Sequence, residues 1–222
     1  RALIAIIAAS IVMLLSQLTM QNMSGYVYPD YYNNAAAQSA STLMMMVGML
    51  LAAALVKPIA KRIGKTEVSV ISSLFAAAVN VVLFFIRPEN VWVYAGFQLL
   101  SWIGLGMFSM VTWALITDVI DYSELKNGKR EDGTVYALYS FARKLGQAAS
   151  AGLTGFLLEM AGYSAATKAE PAVRQGIFDI SVLVPALGFL LLAFILWFWY
   201  PLHKKQVDEN VKALQQKHGT AE

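Results

Sequence analysis

The chain has 222 residues, 58% of them hydrophobic and only 14% charged, with a formal net charge of +3, no Cys and two His. Soluble domains carry about 25% charged residues, so this balance excludes an ordinary soluble domain, and the lack of Cys excludes disulfide frameworks, thiolate metal sites and a Cys nucleophile. The surplus cations fall between long apolar runs, which points to membrane topology rather than to nucleic acid.

A helix crossing the hydrocarbon layer needs about 20 predominantly apolar residues. Six such runs follow one another. The first covers residues 2–27 and stops at Tyr28-Pro29-Asp30; the second covers 34–56 and stops at Lys57-Pro58. The third, 68–86, ends at Arg87-Pro88-Glu89, and the fourth, 91–117, ends in a charged stretch that begins at Asp118. The fifth covers 134–160. The sixth covers 177–200, with Pro185 inside it as an expected kink and Trp197, Trp199 and Tyr200 as an expected interfacial belt. The first run is too long for the apolar core of a signal peptide and five more follow it, so it is expected to remain in the mature chain. The fold class expected is therefore all-α: a polytopic six-helix transmembrane bundle over 1–200, with a solvated, partly helical tail over 201–222 that holds His203 and His218.

Six crossings put the loops alternately on two sides. One side holds Lys57, Lys61, Arg62, Lys65, Lys126, Lys129, Arg130, Lys204, Lys205, Lys212 and Lys217; the other holds Arg87, Lys168 and Arg174. Cations collect on the cytoplasmic side, so both chain ends are expected there, in the cytoplasmic (inner) membrane.

Lipid-facing positions should be apolar, so polar residues at helical spacing mark a face turned to protein or water. Tyr136, Ser140, Lys144 and Gln147 recur at i, i+4, i+8 and i+11 in the fifth run. Trp102, Gly106, Ser109 and Trp113 recur at i, i+4, i+7 and i+11 in the fourth, with Thr112 beside them, and Gln17, Gln21 and Ser24 form a shorter stripe in the first. For any single Ser or Gly the alternative is close packing of helix backbones. Lys144 lies about ten residues into its span, ~15 Å deep, where a Lys costs ~2.5–3.5 kcal/mol and needs a partner. No carboxylate of this chain is expected at that depth, so the partner must come from elsewhere. Arg143, beside it, is long enough to reach toward the headgroups. Asp118 and Asp121, three apart on one helix face, can pair with cations across a bundle interface, which would make a gate; the plainer reading is a solvated loop.

The stretch Asp118-x-x-Asp121-Tyr122-x-Glu124-x-Lys126-x-Gly128-x-Arg130, followed by the helix 136–146 with its embedded Lys144-x-Gly146, resembles the glycoside-pentoside-hexuronide:cation symporters, the melibiose-permease-like branch of the major facilitator superfamily. Lys57-Pro58-x-x-Lys61-Arg62-x-Gly64-Lys65 resembles the basic turn between the second and third helices of each superfamily half. The resemblance runs along the whole chain, as helices seven to twelve of twelve. It implies half of a twelve-helix fold, alternating access, a sugar or glycoside substrate, and coupling to Na+ or H+ bound mainly by a complementary N-terminal half. It places Lys144 near the cation and sugar sites and Ser140 at a hydroxyl position. It puts Ser109 where the family has a cavity Trp, a task open to Trp102 or Trp113; Arg143 is an added cation. The gate candidates are Asp118, Asp121, Tyr122, Glu124, Lys126 and Arg130. No resident cofactor or metal is expected, and no enzyme activity, because no buried catalytic set lies within the spans. The alternative function is a non-transporting membrane fragment, or a structural or regulatory partner of another transporter half.

Overall fold

A computed structural model describes residues 1–217 and 219; His218 and residues 220–222 of the expected tail lie outside the described residues. The elements are α1 (Ala2–Tyr26), which widens into a π-helical turn (Val27–Tyr31), then α2 (Ala35–Ile63), α3 (Lys65–Ile86), α4 (Val91–Asn127), α5 (Asp132–Met160) and α6 (Pro171–Phe194) with a second π turn (Ile195–Trp199), and α7 (Lys204–Lys217). Asn34 and Asn90 open α2 and α4 by accepting from the amides of Ala37 and Trp92, at 3.1 and 2.8 Å. Such caps satisfy donors that a helix start leaves orphaned. Gly128, at φ +75°, closes α4 in the left-handed conformation that glycine adopts without steric cost.

Several boundaries differ from the sequence expectation. Pro58 does not end the second helix: α2 runs through it to Ile63, and Gly64, at φ +113°, makes the actual break. Helix α4 continues ten residues past Thr117, carrying Asp118, Asp121 and Glu124 on regular helix instead of in a loop. Among the described residues, five helices have both the length and the apolar content of a membrane span. Helix α5 has the length, 29 residues, but its Arg143, Lys144, Gln147 and hydroxyl side chains dilute the apolar run.

Helices α1, α3, α4 and α6 form the middle of the bundle, while α2 lies along α4, and α5 lies along α1 and barely touches α4. Gly104 allows one close approach: a Cβ there would stand 2.6 Å from the Ser72 carbonyl oxygen and 3.0 Å from the Ala76 Cβ, so α3 and α4 meet almost backbone to backbone. Apolar packing divides into two clusters. One, around Phe108, Leu115, Tyr139 and Leu196, fills the end of the bundle that carries the basic loops; the other, around Tyr28, Tyr94 and Phe178, fills the opposite end.

Tyr200 is not part of an interfacial belt. Its ring is 1% exposed and its hydroxyl donates to the Leu115 carbonyl (3.0 Å), whereas Trp197 and Trp199 are 52% and 39% exposed. The tail is also more tightly held than a solvated segment. Thr66 donates to the Leu202 carbonyl (2.6 Å), the Lys204 amide donates to Glu67 (3.0 Å), and α7 packs on α4 and α3 with Asn210 and Leu214 buried.

Candidate functional site

Helix α5 has three faces. Val135, Tyr139, Ala142, Gly146, Ser150, Thr154 and Leu158 are buried, most of them against α1. Leu138, Phe141, Leu145 and Phe156 form an exposed apolar face. Between these two lie Tyr136, Ser140, Lys144 and Gln147, all exposed. The helical repeat alone, ~100° per residue, puts the polar four on one side and the apolar four on another.

Gly146 lies against Leu14, the middle residue of α1, with 3.3 Å from the position of a Cβ to the nearest Leu14 atom. Lys144 therefore sits at mid-bundle height, as its place in the helix predicts. None of the ion pairs or side-chain hydrogen bonds among the described residues involves it. Arg143 behaves differently. Its guanidinium lies 5.9 Å from the Trp113 ring centre and 5.8 Å from that of Tyr139, and Nη1 donates to the Tyr139 hydroxyl at 3.4 Å. It turns toward aromatic rings of α4 and α5 instead of reaching for headgroups. Trp113 in turn meets Tyr139 edge-on at 5.4 Å and Tyr136 at 6.2 Å, and remains 50% exposed. An open aromatic platform with a guanidinium beside it suits a polar ring-shaped ligand, because aromatic faces pack on apolar ring faces while a cation holds polar substituents.

The stripe on α4 does not form one open face. Trp102 is 7% exposed, and Gly106 faces Ala52 and Met49 of α2. Thr112 is 1% exposed and donates its hydroxyl to the Phe108 carbonyl (2.8 Å), so its donor is spent within its own helix. Ser109 is half-buried with its hydroxyl unpartnered. The small residues between Trp102 and Trp113 are used to bring α2 against α4, and only beyond that contact does the α4 surface open at Trp113. On α1, Gln17 is half-buried and Gln21 exposed.

The carboxylates Asp118, Asp121 and Glu124 at the basic end find cations within this chain. Lys65 of α3 makes an ion pair with Asp118, which is 6% exposed. Arg130 holds Asp121 and Glu124, both at 2.9 Å, and Asp132 at 3.0 Å. Glu124 and then Asp121 hold the Arg130 proton more tightly than in a free guanidinium. Lys126 lies 5.9 Å over the Tyr122 ring. Lys65 was legible only as part of a basic turn; its pairing with Asp118, 53 residues away, had no local signal.

The surface of the bundle is thus divided. Along α3 and α6 the exposed side chains are Ile71, Leu74, Phe75, Val82, Phe85, Leu187, Leu190 and Phe194, an apolar face suited to lipid. Along α1, α2, α4 and α5 runs a face with Gln21, Thr42, Trp113, Thr117, Tyr136, Ser140, Lys144 and Gln147 in the open.

The family model described as MFS/sugar transport protein matches residues 1–204. The chain belongs to this family. It is 35% identical over 164 residues to a glucuronide carrier protein homolog of Escherichia coli (strain K12), an alignment covering 74% of this chain and 36% of that protein. It is 33% identical over 167 residues to an uncharacterised symporter of Bacillus subtilis (strain 168), covering 75% and 36%. It is 31% identical over 180 residues to the isoprimeverose transporter of Lactiplantibacillus pentosus, covering 76% and 37%. The chain spans little more than a third of the length of the curated relatives it matches. Membership in the melibiose-permease-like branch of the major facilitator superfamily agrees with the resemblance carried by the Asp118–Arg130 stretch and the helix after it.

Proposed function

We propose that this chain is the C-terminal half of a cation-coupled sugar or glycoside symporter of the cytoplasmic membrane, with both termini cytoplasmic. In this reading the open polar face of α1, α2, α4 and α5 lines a central cavity shared with a complementary N-terminal six-helix half. Substrate lies between the halves at mid-membrane, against Trp113 and Tyr136 and within reach of Lys144, Arg143, Ser140 and Gln147. The two halves rock about that site to open it alternately to each side. Na+ or H+ is held mainly by carboxylates of the companion half, which Lys144 faces. Arg130, which holds Asp121 and Glu124 and is 42% exposed, has surface left to engage the companion when the cytoplasmic side closes.

The observation that carries the reading is Lys144: a cation at mid-bundle height, exposed, without a carboxylate partner among the described residues, on the face that is not apolar. Its cost in a membrane disappears only if water and acidic groups of another bundle face it. The sugar class is supported by the family and by what its relatives are named for, a glucuronide and isoprimeverose among them.

The test uses both halves assembled in proteoliposomes with an imposed Na+ or pH gradient and radiolabelled glycosides. Lys144→Leu should abolish accumulation against a gradient while the protein still inserts and assembles. A Lys144→Leu protein that concentrates sugar as the parent does would refute the role.

A further inference from the structure

A second polar feature opens on the same face, nearer the end opposite the basic loops. Between α1, α2 and α4 lies a cavity of about 50 Å³, bounded by Gln21, Tyr28, Ser41, Thr42, Gln98 and Trp102. One water needs only about 10–15 Å³ of such space, so the cavity has room for a hydroxymethyl group or a hydroxyl with its carbon. Gln21 and Thr42 stand exposed at its mouth, whereas Gln98 and Trp102 are 6% and 7% exposed at its wall.

A chain of hydrogen bonds fixes which polar atom Gln98 leaves free. The Phe178 carbonyl only accepts, so the Ser181 hydroxyl donates to it (2.7 Å). The Tyr94 hydroxyl, having Ser181 as its acceptor at 3.3 Å, donates to Ser181. Tyr94 is then the acceptor for Gln98 Nε2, at 3.1 Å. That sequence of donors assigns the amide orientation and leaves Gln98 Oε1 as a buried acceptor with no donor. A side chain anchored through α6 in this way is positioned, and its unpaired group accepts hydrogen bonds and donates none.

We propose that this cavity is a neutral subsite of the transport site: it takes a hydroxyl or hydroxymethyl group of the sugar, which donates to Gln98 Oε1 beside Trp102, and it disfavours carboxylate or sulfonate groups. The proposal rests on the sugar-transport reading above and adds an orientation to it. Trp102 and Trp113 are 11 residues apart on α4, ~16 Å along the helix, close to three full turns. A glycoside long enough to reach both places its neutral end at Gln98. None of the residues bounding the cavity is charged, so an acidic sugar finds no counter-ion there and turns its anion toward Lys144 and Arg143 instead.

The experiment measures equilibrium binding to the assembled transporter of methyl β-D-glucoside, methyl β-D-xyloside, methyl β-D-galactoside and methyl β-D-glucuronide, then of the mono-deoxy derivatives of the tightest of these. Gln98→Leu should raise the Kd of the parent glycoside at least tenfold, and for one deoxy derivative the variant and the parent protein should bind equally. In parallel, Ser41→Cys provides a single thiol in an otherwise Cys-free chain, and saturating glycoside should slow its alkylation by N-ethylmaleimide several-fold. Binding by the parent protein with an unchanged Kd in Gln98→Leu overturns the subsite and leaves the transport reading standing. Should Gln98→Leu fail to assemble, an unprotected Ser41→Cys thiol overturns it instead. If the parent protein binds none of the four glycosides, the sugar reading itself falls, and this subsite with it.

Discussion

Arg143 and Lys144 are neighbours in sequence, yet one residue of helical rotation gives them different chemistry. Arg143 points between α4 and α5, where Trp113 and Tyr139 meet its flat guanidinium; Lys144 points into the open. A guanidinium over an aromatic face gains ~0.5–2 kcal/mol depending on how far it is desolvated. A double-mutant cycle with Trp113→Leu and Arg143→Leu, followed by reversible unfolding in detergent, should therefore give a coupling energy of about 0.5–2 kcal/mol. Strict additivity would mean that ring and cation are neighbours without attraction. Arg143→Lys should recover only part of the coupling, since an ammonium lacks the planar group that stacks. At this scale the sequence was informative about depth and poor about direction. The position of Lys144 in its run placed it at mid-height correctly, because rise per residue is nearly constant. The aromatic partners of Arg143 depend on how α5 leans on α4, which no local pattern encodes.

Among the elements, α4 departs most from its sequence reading. Its polar and small residues at i, i+4, i+7 and i+11 suggested one exposed stripe, but the same pattern also describes a helix–helix seam, and Gly106 against Ala52 and Met49 shows that the seam prevailed over most of its length. Small residues are ambiguous from sequence because their two uses, lining a cavity and letting backbones approach, need the same lack of side chain. Gly104 makes the point on the other side of α4. The nearest obstacle to a side chain there is the Ser72 carbonyl, a backbone atom that cannot rotate away. Gly104→Leu should push α3 from α4 and destabilise the bundle by about 1–3 kcal/mol, the usual cost of overpacking, seen as a lower thermal midpoint in detergent. Gly96→Leu, where nothing lies within 4 Å of an added Cβ, serves as the control and should leave that midpoint nearly unchanged. Equal effects at both positions would show that α3 and α4 are not in the close contact described. Other element-level surprises have a similar origin. Tyr200 reads as an interfacial aromatic until Leu115, 85 positions earlier, offers it a carbonyl, and α7 reads as solvated until α3 and α4 offer it a surface.

For the whole molecule, exposure alone does not separate lipid from cavity, because both the α3–α6 face and the α5 polar face are open in the isolated bundle. Chemistry does separate them. One face presents Phe75 and Leu187 with aliphatic neighbours; the other presents Ser140, Gln147 and Lys144. Unpaired polar side chains facing hydrocarbon would raise the free energy of insertion, so the polar face must be covered by a wet cavity or a second bundle, whereas the apolar face needs only acyl chains. Because the chain contains no Cys, single thiols can be placed on each face without a competing background in this half. In the assembled transporter, Ser140→Cys and Gln147→Cys should react with a charged, membrane-impermeant thiosulfonate, and Phe75→Cys and Leu187→Cys should not. Lengthening the reaction should not erase the difference, since a thiol in hydrocarbon stays protonated and a charged reagent cannot reach it. Charged-reagent labelling at Phe75 equal to that at Ser140 would mean that the division of the surface has no counterpart in the membrane. Ser140 as unreactive as Phe75 would turn the polar face toward lipid and remove the ground for a companion half.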